Sequence, residues 1–238
     1  MRILSFLFLA VSSFVGAYVD RCVMPDRLFL GPEYQFRAYS FPITATAAGS
    51  QNMWGGFGGY EHLCPQDLFI RLFSRLNSGK ERDSFSDTFD HEWTVEGNIG
   101  YTLAFGRFCN WLITPYTGFG YLQDRQTNYG DTTLHAYKNY IPVGLLLGWD
   151  VNRDWSLFLR GQVNFEVLRV QISDDTGTIT KKPNWLIELP VIYRFLCHWD
   201  VSLVPEYMYA PDASMFDDSG DWGGIHTYGL RLELGYCW

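Results

Sequence analysis

Residues 227–238, TYGLRLELGYCW, alternate without a break between a large apolar or aromatic side chain and a polar or small one. Tyr228, Leu230, Leu232, Leu234, Tyr236 and Trp238 share one parity, and Thr227, Gly229, Arg231, Glu233, Gly235 and Cys237 the other. An extended chain sends successive side chains to opposite faces, so one face of this strand is apolar throughout while the other carries an arginine and a glutamate. A helix would scatter both sets around its circumference. The segment therefore reads as a strand with two unlike faces.

The same alternation returns along the chain. Trp93, Val95, Ile99, Tyr101, Leu103 and Phe105 oppose Thr94, Glu96, Asn98 and Thr102; Trp155, Leu157, Leu159, Val163, Phe165 and Val167 oppose Ser156, Arg160, Gln162 and Glu166; Trp185, Ile187, Leu189, Val191, Tyr193 and Phe195 oppose Glu188 and Arg194. Weaker versions at 28–41, 53–62, 67–78, 111–122, 136–149 and 200–209 bring the count to ten strands. The segment at 53–62, MWGGFGGYEH, is the weakest, because its glycines dilute the pattern. Most segments reach the roughly 9–11 tilted residues that cross a bilayer.

Short links at 63–66, 106–110, 150–154 and 197–199 alternate with longer polar ones at 42–52, 79–90, 123–135, 172–183 and 210–226. Transmembrane barrels have this asymmetry, with the short turns periplasmic; a Greek-key sandwich has no reason for it. Lipid also requires closure, because an open sheet edge would leave backbone N–H and C=O groups unpaired in hydrocarbon. Trp93, Trp149, Trp155, Trp185, Tyr228 and Trp238 fall at or near the ends of the apolar stripes, where amphipathic rings meet the membrane interface. The expected fold is all-β: an antiparallel up-and-down transmembrane barrel of ten strands, with short periplasmic turns, longer extracellular loops and both termini periplasmic.

Residues 1–17, MRILSFLFLAVSSFVGA, have the charged start, short apolar run and small-residue end of a cleaved signal peptide. That leaves 18–238 as one domain, undivided by repeats, linkers or charge blocks. The formal net charge of −8 lacks the basic stripe that nucleic acid requires.

A last strand of alternating apolar residues ending on an aromatic, with another aromatic two places earlier, resembles the C-terminal signature of Gram-negative outer-membrane β-barrel proteins. The resemblance implies an outer-membrane location, outer-membrane lipid as surroundings, and a barrel-assembly machinery that reads Leu234, Tyr236 and Trp238.

Cys22, Cys64, Cys109, Cys197 and Cys237 all map to the periplasmic end. Closure of the first strand on the last makes Cys22 and Cys237 neighbours and candidates for a disulfide in that oxidising compartment. Free turn cysteines are the alternative, and the odd count leaves a thiol for a disulfide-linked neighbouring molecule. Cysteine-rich, cross-linked outer membranes are a feature of the chlamydial group, which this chain resembles in that respect.

On the inward parity lie Glu33, Arg37, Arg71, Arg75, Glu96, Lys138, Arg160, Glu166, Glu188, Arg194, Glu206, Arg231 and Glu233, with the two signs nearly balanced. In a narrow barrel they must pair, since an unpartnered buried charge costs several kcal/mol. The expectation is a salt-bridged core and a structural or surface-interaction role. Inward Gly100, Gly118, Gly120, Gly144 and Gly148 keep open the alternative of water-filled space and a small diffusion pore.

A hydrolase is the third reading. His91, His135 and His226 stand near Asp87, Asp90, Asp131 and Asp221, a composition that suits water activation in omptin-like proteases. All three histidines share the parity of lipid-facing residues, however, and the chain lacks the long strands that rise above the membrane in omptins. Lipid A-modifying barrels need a Ser/His/acid set that only loops could supply. No catalytic residue is assigned, and no cofactor is expected. HxxH, HExxH and CxxC spacings are absent, so zinc is not indicated. The acidic loops, with Asp83, Asp87, Asp90, Asp124, Asp174, Asp212, Asp217 and Asp221 among others, are read as solvated; FDDSGDWGG lacks the full EF-hand spacing for calcium. Phe85, Tyr129 and Trp222 are candidate loop anchors for a partner surface.

Overall fold

A computed structural model describes residues 25–39, 50–82, 87–106, 110–127, 133–172, 183–211 and 224–238. The signal segment 1–17, Cys22, Cys109, the loop acids Asp83, Asp131, Asp174, Asp212, Asp217 and Asp221, and the anchors Phe85, Tyr129 and Trp222 lie outside these residues, as do the side chains of Asp87 and His135.

Among the described residues, twelve strand segments form one antiparallel sheet: β1 (Asp26–Tyr39), β2 (Ser50–His62), β3 (Leu68–Arg82), β4 (Asp87–Tyr101), β5 (Leu103–Phe105), β6 (Trp111–Thr127), β7 (Thr133–Asp150), β8 (Trp155–Ile172), β9 (Asn184–Glu188), β10 (Val191–Leu196), β11 (Trp199–Ala210) and β12 (Ile225–Cys237). β5 continues β4 past Thr102, and β10 continues β9 past Leu189 and Pro190, so the twelve segments make the ten staves expected. Pro190 has no N–H for the ladder; its carbonyl still accepts from Phe158 N at 2.9 Å, and Leu189 N donates to Pro205 O at 3.0 Å. β1 pairs with β12 from Arg27↔Cys237 to Tyr39↔Ile225, which closes the barrel. The glycine-rich segment is a continuous strand, β2, in register with β1 and β3 along its length.

The parity rule holds around the wall. In β1, Phe29 is 3% exposed while its neighbour Leu30 is 64% exposed. Leucines, valines and isoleucines fill the outward band, and aromatic clusters mark its two ends. At the periplasmic end Trp111 stacks on Trp149 with ring centroids 5.2 Å apart, and Trp199, Tyr236, Trp238 and Tyr60 form a second cluster. At the extracellular end stand Tyr34 with Trp54, and Trp93 with Tyr121.

Several strands run further toward the extracellular side than the alternation predicts. β6, β7 and β8 have 17, 18 and 18 residues, well beyond the about 9–11 needed to cross a bilayer. The expectation that the chain lacks long rising strands is therefore corrected. On β6 the outward residues past Tyr121 are Gln123 and Arg125, so the sequence pattern fades while the hydrogen-bond ladder continues; β8, whose alternation persists to residue 171, ends where the pattern places it.

Candidate functional site

The inward face is a layered network of ion pairs. Nearest the periplasm, Arg27 donates to both oxygens of Asp200 (2.6–3.1 Å), to Glu233 Oε2 at 3.0 Å and to Ser202 Oγ at 2.7 Å. At mid-barrel, Arg231 donates to Glu206 Oε2 at 2.8 Å and Glu188 Oε1 at 3.0 Å, and Arg160 donates to the other oxygen of Glu188 at 2.8 Å. Arg75 lies 3.4 Å from Glu33, Glu92 and Glu206. Nearer the extracellular side Arg37 binds Glu92 and approaches Asp90 at 3.8 Å, and Lys138 is 3.4 Å from Glu166. Glu96 accepts from Tyr140 Oη, Gln162 Nε2 and Asn98 Nδ2 at 2.7–3.0 Å. Arg194 reaches Ser156 Oγ at 2.8 Å and Asp150 at 3.7 Å, at the periplasmic rim. Arg71 is held differently: its ion pair to Glu61 is long, 3.9 Å, and its guanidinium lies 4.8 Å from the Phe73 ring centroid.

On the periplasmic side of the Arg231–Glu188–Arg160 layer, an apolar cluster of Leu63, Phe69, Leu112, Tyr116, Leu146, Phe158 and Ile192 fills the lumen beside the Arg27 group. Its rings are seated by glycines directly across the ladder: Tyr116 opposite Gly144, and Phe158 opposite Gly148, with Tyr140 opposite Gly120 above them. A Cβ on any of the three glycines would collide with the opposing ring. Gly100 and Gly118 likewise meet Tyr116 and Asn98. The alternative that these glycines leave water-filled space is set aside, because each provides the slot for a neighbouring side chain. Gly144→Val is expected to cost about 1–3 kcal/mol by overpacking. Urea unfolding in lipid vesicles should register that loss, and the same replacement in a Tyr116→Ala background should cost less.

A cavity of about 110 Å³ remains above the Arg231–Glu188 layer, bordered by Arg37, Glu92, Asp124, Lys138 and Glu166 among others. A second space of about 20 Å³ lies beneath that layer, room for about one water. Asp90 and Asp124, expected as solvated loop acids, are instead 1% and 5% exposed and face the lumen. Sequence reasoning also misses Arg27, Glu61, Glu92, Asp150 and Asp200. All lie on the inward parity of their strands, at or just beyond the ends assigned from hydrophobic alternation, so extending each parity by a few residues finds them.

His91 is exposed and on the outward parity, and His226 packs against Tyr207 and Tyr209 with its Nδ1 2.9 Å from Tyr207 Oη. Neither is brought to the inward carboxylates. Among the described residues no group of three His, Cys, Asp or Glu side chains is arranged to hold a metal ion. Cys237 is a free thiol that donates to Asp200 Oδ2 at 3.3 Å, and Cys197 is free and exposed. The expected Cys22–Cys237 disulfide is therefore not formed; the inward turn of Cys237 aims its sulfur at the Arg27–Asp200 pair. Cys64 is disulfide-bonded. Leu234, Tyr236 and Trp238 face outward, and Trp238 N donates to Asp26 O at 3.1 Å, tying the last residue to the first strand.

No protein-family model matches the sequence, and no curated protein matches it. Among solved structures, the chain is similar to the translocator domain of the autotransporter NalP from Neisseria meningitidis, with 12% identity and a TM-score of 0.51 over 99% of this chain and 95% of that one. It is also similar to the outer membrane protease OmpT from Escherichia coli, with 10% identity and a TM-score of 0.52 over 90% of this chain and 96% of that one. At such identities the likeness concerns the fold: the chain has the closed, ten-stranded architecture of the bacterial outer-membrane β-barrels.

Proposed function

We propose that the chain is an integral protein of the bacterial outer membrane with a structural or surface-interaction role, and that its barrel does not conduct. The observation that carries this reading is the filled lumen. A solute would have to pass Arg231, Glu188 and Arg160, joined at 2.8–3.0 Å, and then the apolar cluster around Phe69. The buried charges offset one another's desolvation and pack the core at the same time, which leaves no wide aqueous path. The acidic extracellular loops are the part of the chain left to meet partners, and loops held by a rigid wall commonly carry binding.

Leu234, Tyr236 and Trp238 serve in this reading as the segment that the barrel-assembly machinery recognises. Their place on the outward face of the closing strand suits recognition before closure.

Single-channel recording of the refolded chain in a planar bilayer tests the proposal. The expected result is a silent bilayer for wild type and for Arg160→Ala, with insertion verified by the heat-dependent gel shift of a folded barrel. Steady openings whose size changes in Arg160→Ala would replace this reading with a diffusion pore.

A further inference from the structure

Among the described residues the outward face carries charged or histidine side chains at three places: Asp26 with His62 at the periplasmic end, His226 with Tyr207 at the extracellular end, and a cationic group at the extracellular end of β3, β4 and β6. At the extracellular ends of β3, β4 and β6, Lys80, His91 and Arg125 are exposed and point the same way as the lipid-facing Leu76, Trp93 and Tyr121. The register sets them together: Ser78 is opposite His91, His91 is opposite Arg125, and Lys80 is opposite Phe89, with its ammonium 5.6 Å from that ring's centroid. Lys80 and Arg125 thus flank β4 on its two sides, with His91 between them. Among the described side chains, they are the lysine and arginine that face outward at this end of the barrel.

Two adjoining hollows occupy the patch. One, of about 310 Å³, is bordered by Trp54, Leu76, Trp93, His91 and Arg125. The other, of about 500 Å³, is bordered by Trp54, Asn52, Lys80 and Phe89. Trp54 pairs in register with Ser78, and Trp93 with Gln123, so Lys80 and Arg125 each lie two residues beyond the indole level. At about 3.3 Å per residue that offset is roughly 7 Å along the strand. Indoles mark the membrane interface, which puts the two cations at the height of lipid headgroups.

The chain as a whole is acidic, with a net charge of −8, so these cations are a local feature and not part of a general basic surface. A guanidinium and an ammonium, joined by an imidazole, a serine hydroxyl and an asparagine amide, offer phosphate both charge and directed donors. The indole and leucine surfaces below offer methylene chains an apolar bed.

We infer that Lys80, His91 and Arg125 form a binding site for the phosphate of a phosphorylated lipid of the outer leaflet, whose acyl chain lies along Trp54, Leu76 and Trp93. The inference rests on the membrane location proposed above and assigns that membrane a specific ligand.

The test uses the refolded chain in phosphatidylcholine nanodiscs containing either diphosphoryl lipid A or its dephosphorylated form, with lipid retained after transfer to detergent measured by native mass spectrometry. Wild type should retain the diphosphorylated lipid about ten-fold better than the dephosphorylated one. Lys80→Gln with Arg125→Gln should remove that preference, whereas Lys80→Arg with Arg125→Lys should preserve it. Equal retention of the two lipids by wild type, or an unchanged preference in the glutamine variant, overturns the site. Displacement of the lipid by millimolar inorganic phosphate also overturns it, since the site would then be one for the free ion. A wild-type chain that shows no gel shift and fails to insert brings down the membrane reading itself, and the site with it.

Discussion

Arg231→Ala should destabilise the barrel by about 3–5 kcal/mol, the range for removing one partner of a buried charge cluster. Arg231 is 1% exposed and lies between Glu206, Glu188 and Glu233, at 2.8, 3.0 and 3.9 Å. Its loss leaves Glu188 with Arg160, Glu206 with Arg75, and Glu233 with Arg27, so three carboxylates each keep one cation but lose the group that joins the layers. Burial makes the loss expensive, because the carboxylates lose charged hydrogen-bond donors while remaining shut off from bulk water. Equilibrium unfolding by urea in lipid vesicles measures it. Arg231→Met paired with Glu188→Gln should recover part of the loss, because the second change removes one of the carboxylates left short of a partner. A midpoint for Arg231→Ala indistinguishable from wild type would mean the lumen is wet enough to solvate the acids, and the closed-core account would fail.

Phe69→Ala should cost a similar amount for a different reason, about 3–5 kcal/mol from a cavity and lost apolar contact. Phe69 is fully buried in the periplasmic cluster and packs on Tyr116 with ring centroids 5.7 Å apart. The same urea titration reports the loss. The two variants differ in salt dependence: the Arg231→Ala penalty should change with ionic strength only weakly, as buried pairs are poorly screened, and the Phe69→Ala penalty not at all. Phe69→Ala should also stay silent in the planar bilayer, because the Arg231–Glu188–Arg160 layer remains above it. Conduction in this variant would locate the seal in the apolar cluster alone.

The wall of the barrel is legible in the sequence because lipid imposes a strict contrast between faces. Leu230, Leu232 and Leu234 against Arg231 and Glu233 leave one way to orient β12. That contrast ends where the lipid ends. Asp124 reads as a loop acid because its outward neighbours, Gln123 and Arg125, are themselves polar, and Asp90 because Phe89 beside it is a lone apolar residue between Thr88 and the polar His91, too little for parity to carry a hydrophobic signal. The packing inside is illegible for another reason. Gly120, Gly144 and Gly148 acquire their meaning from Tyr140, Tyr116 and Phe158, and those partners are fixed by register between strands, which no single strand encodes. The cysteine pairing fails on a similar point: adjacency of the first and last strands suggests Cys22 with Cys237, while the inward parity of Cys237 directs its sulfur to Asp200.

The last strand brings both halves of the closure at once. β12 supplies the backbone partners of β1, and with Arg231 and Glu233 it supplies the counter-charges of Glu188, Glu206 and Arg27. An incomplete sheet of the first nine staves would therefore carry two open edges, β1 and β11, and an unbalanced interior together. Neither defect can be relieved separately, so intermediates lacking this strand gain little from partial order. Folding then becomes a single late commitment that depends on contacts between the two ends of the chain, the longest separation in sequence that the molecule has to bridge.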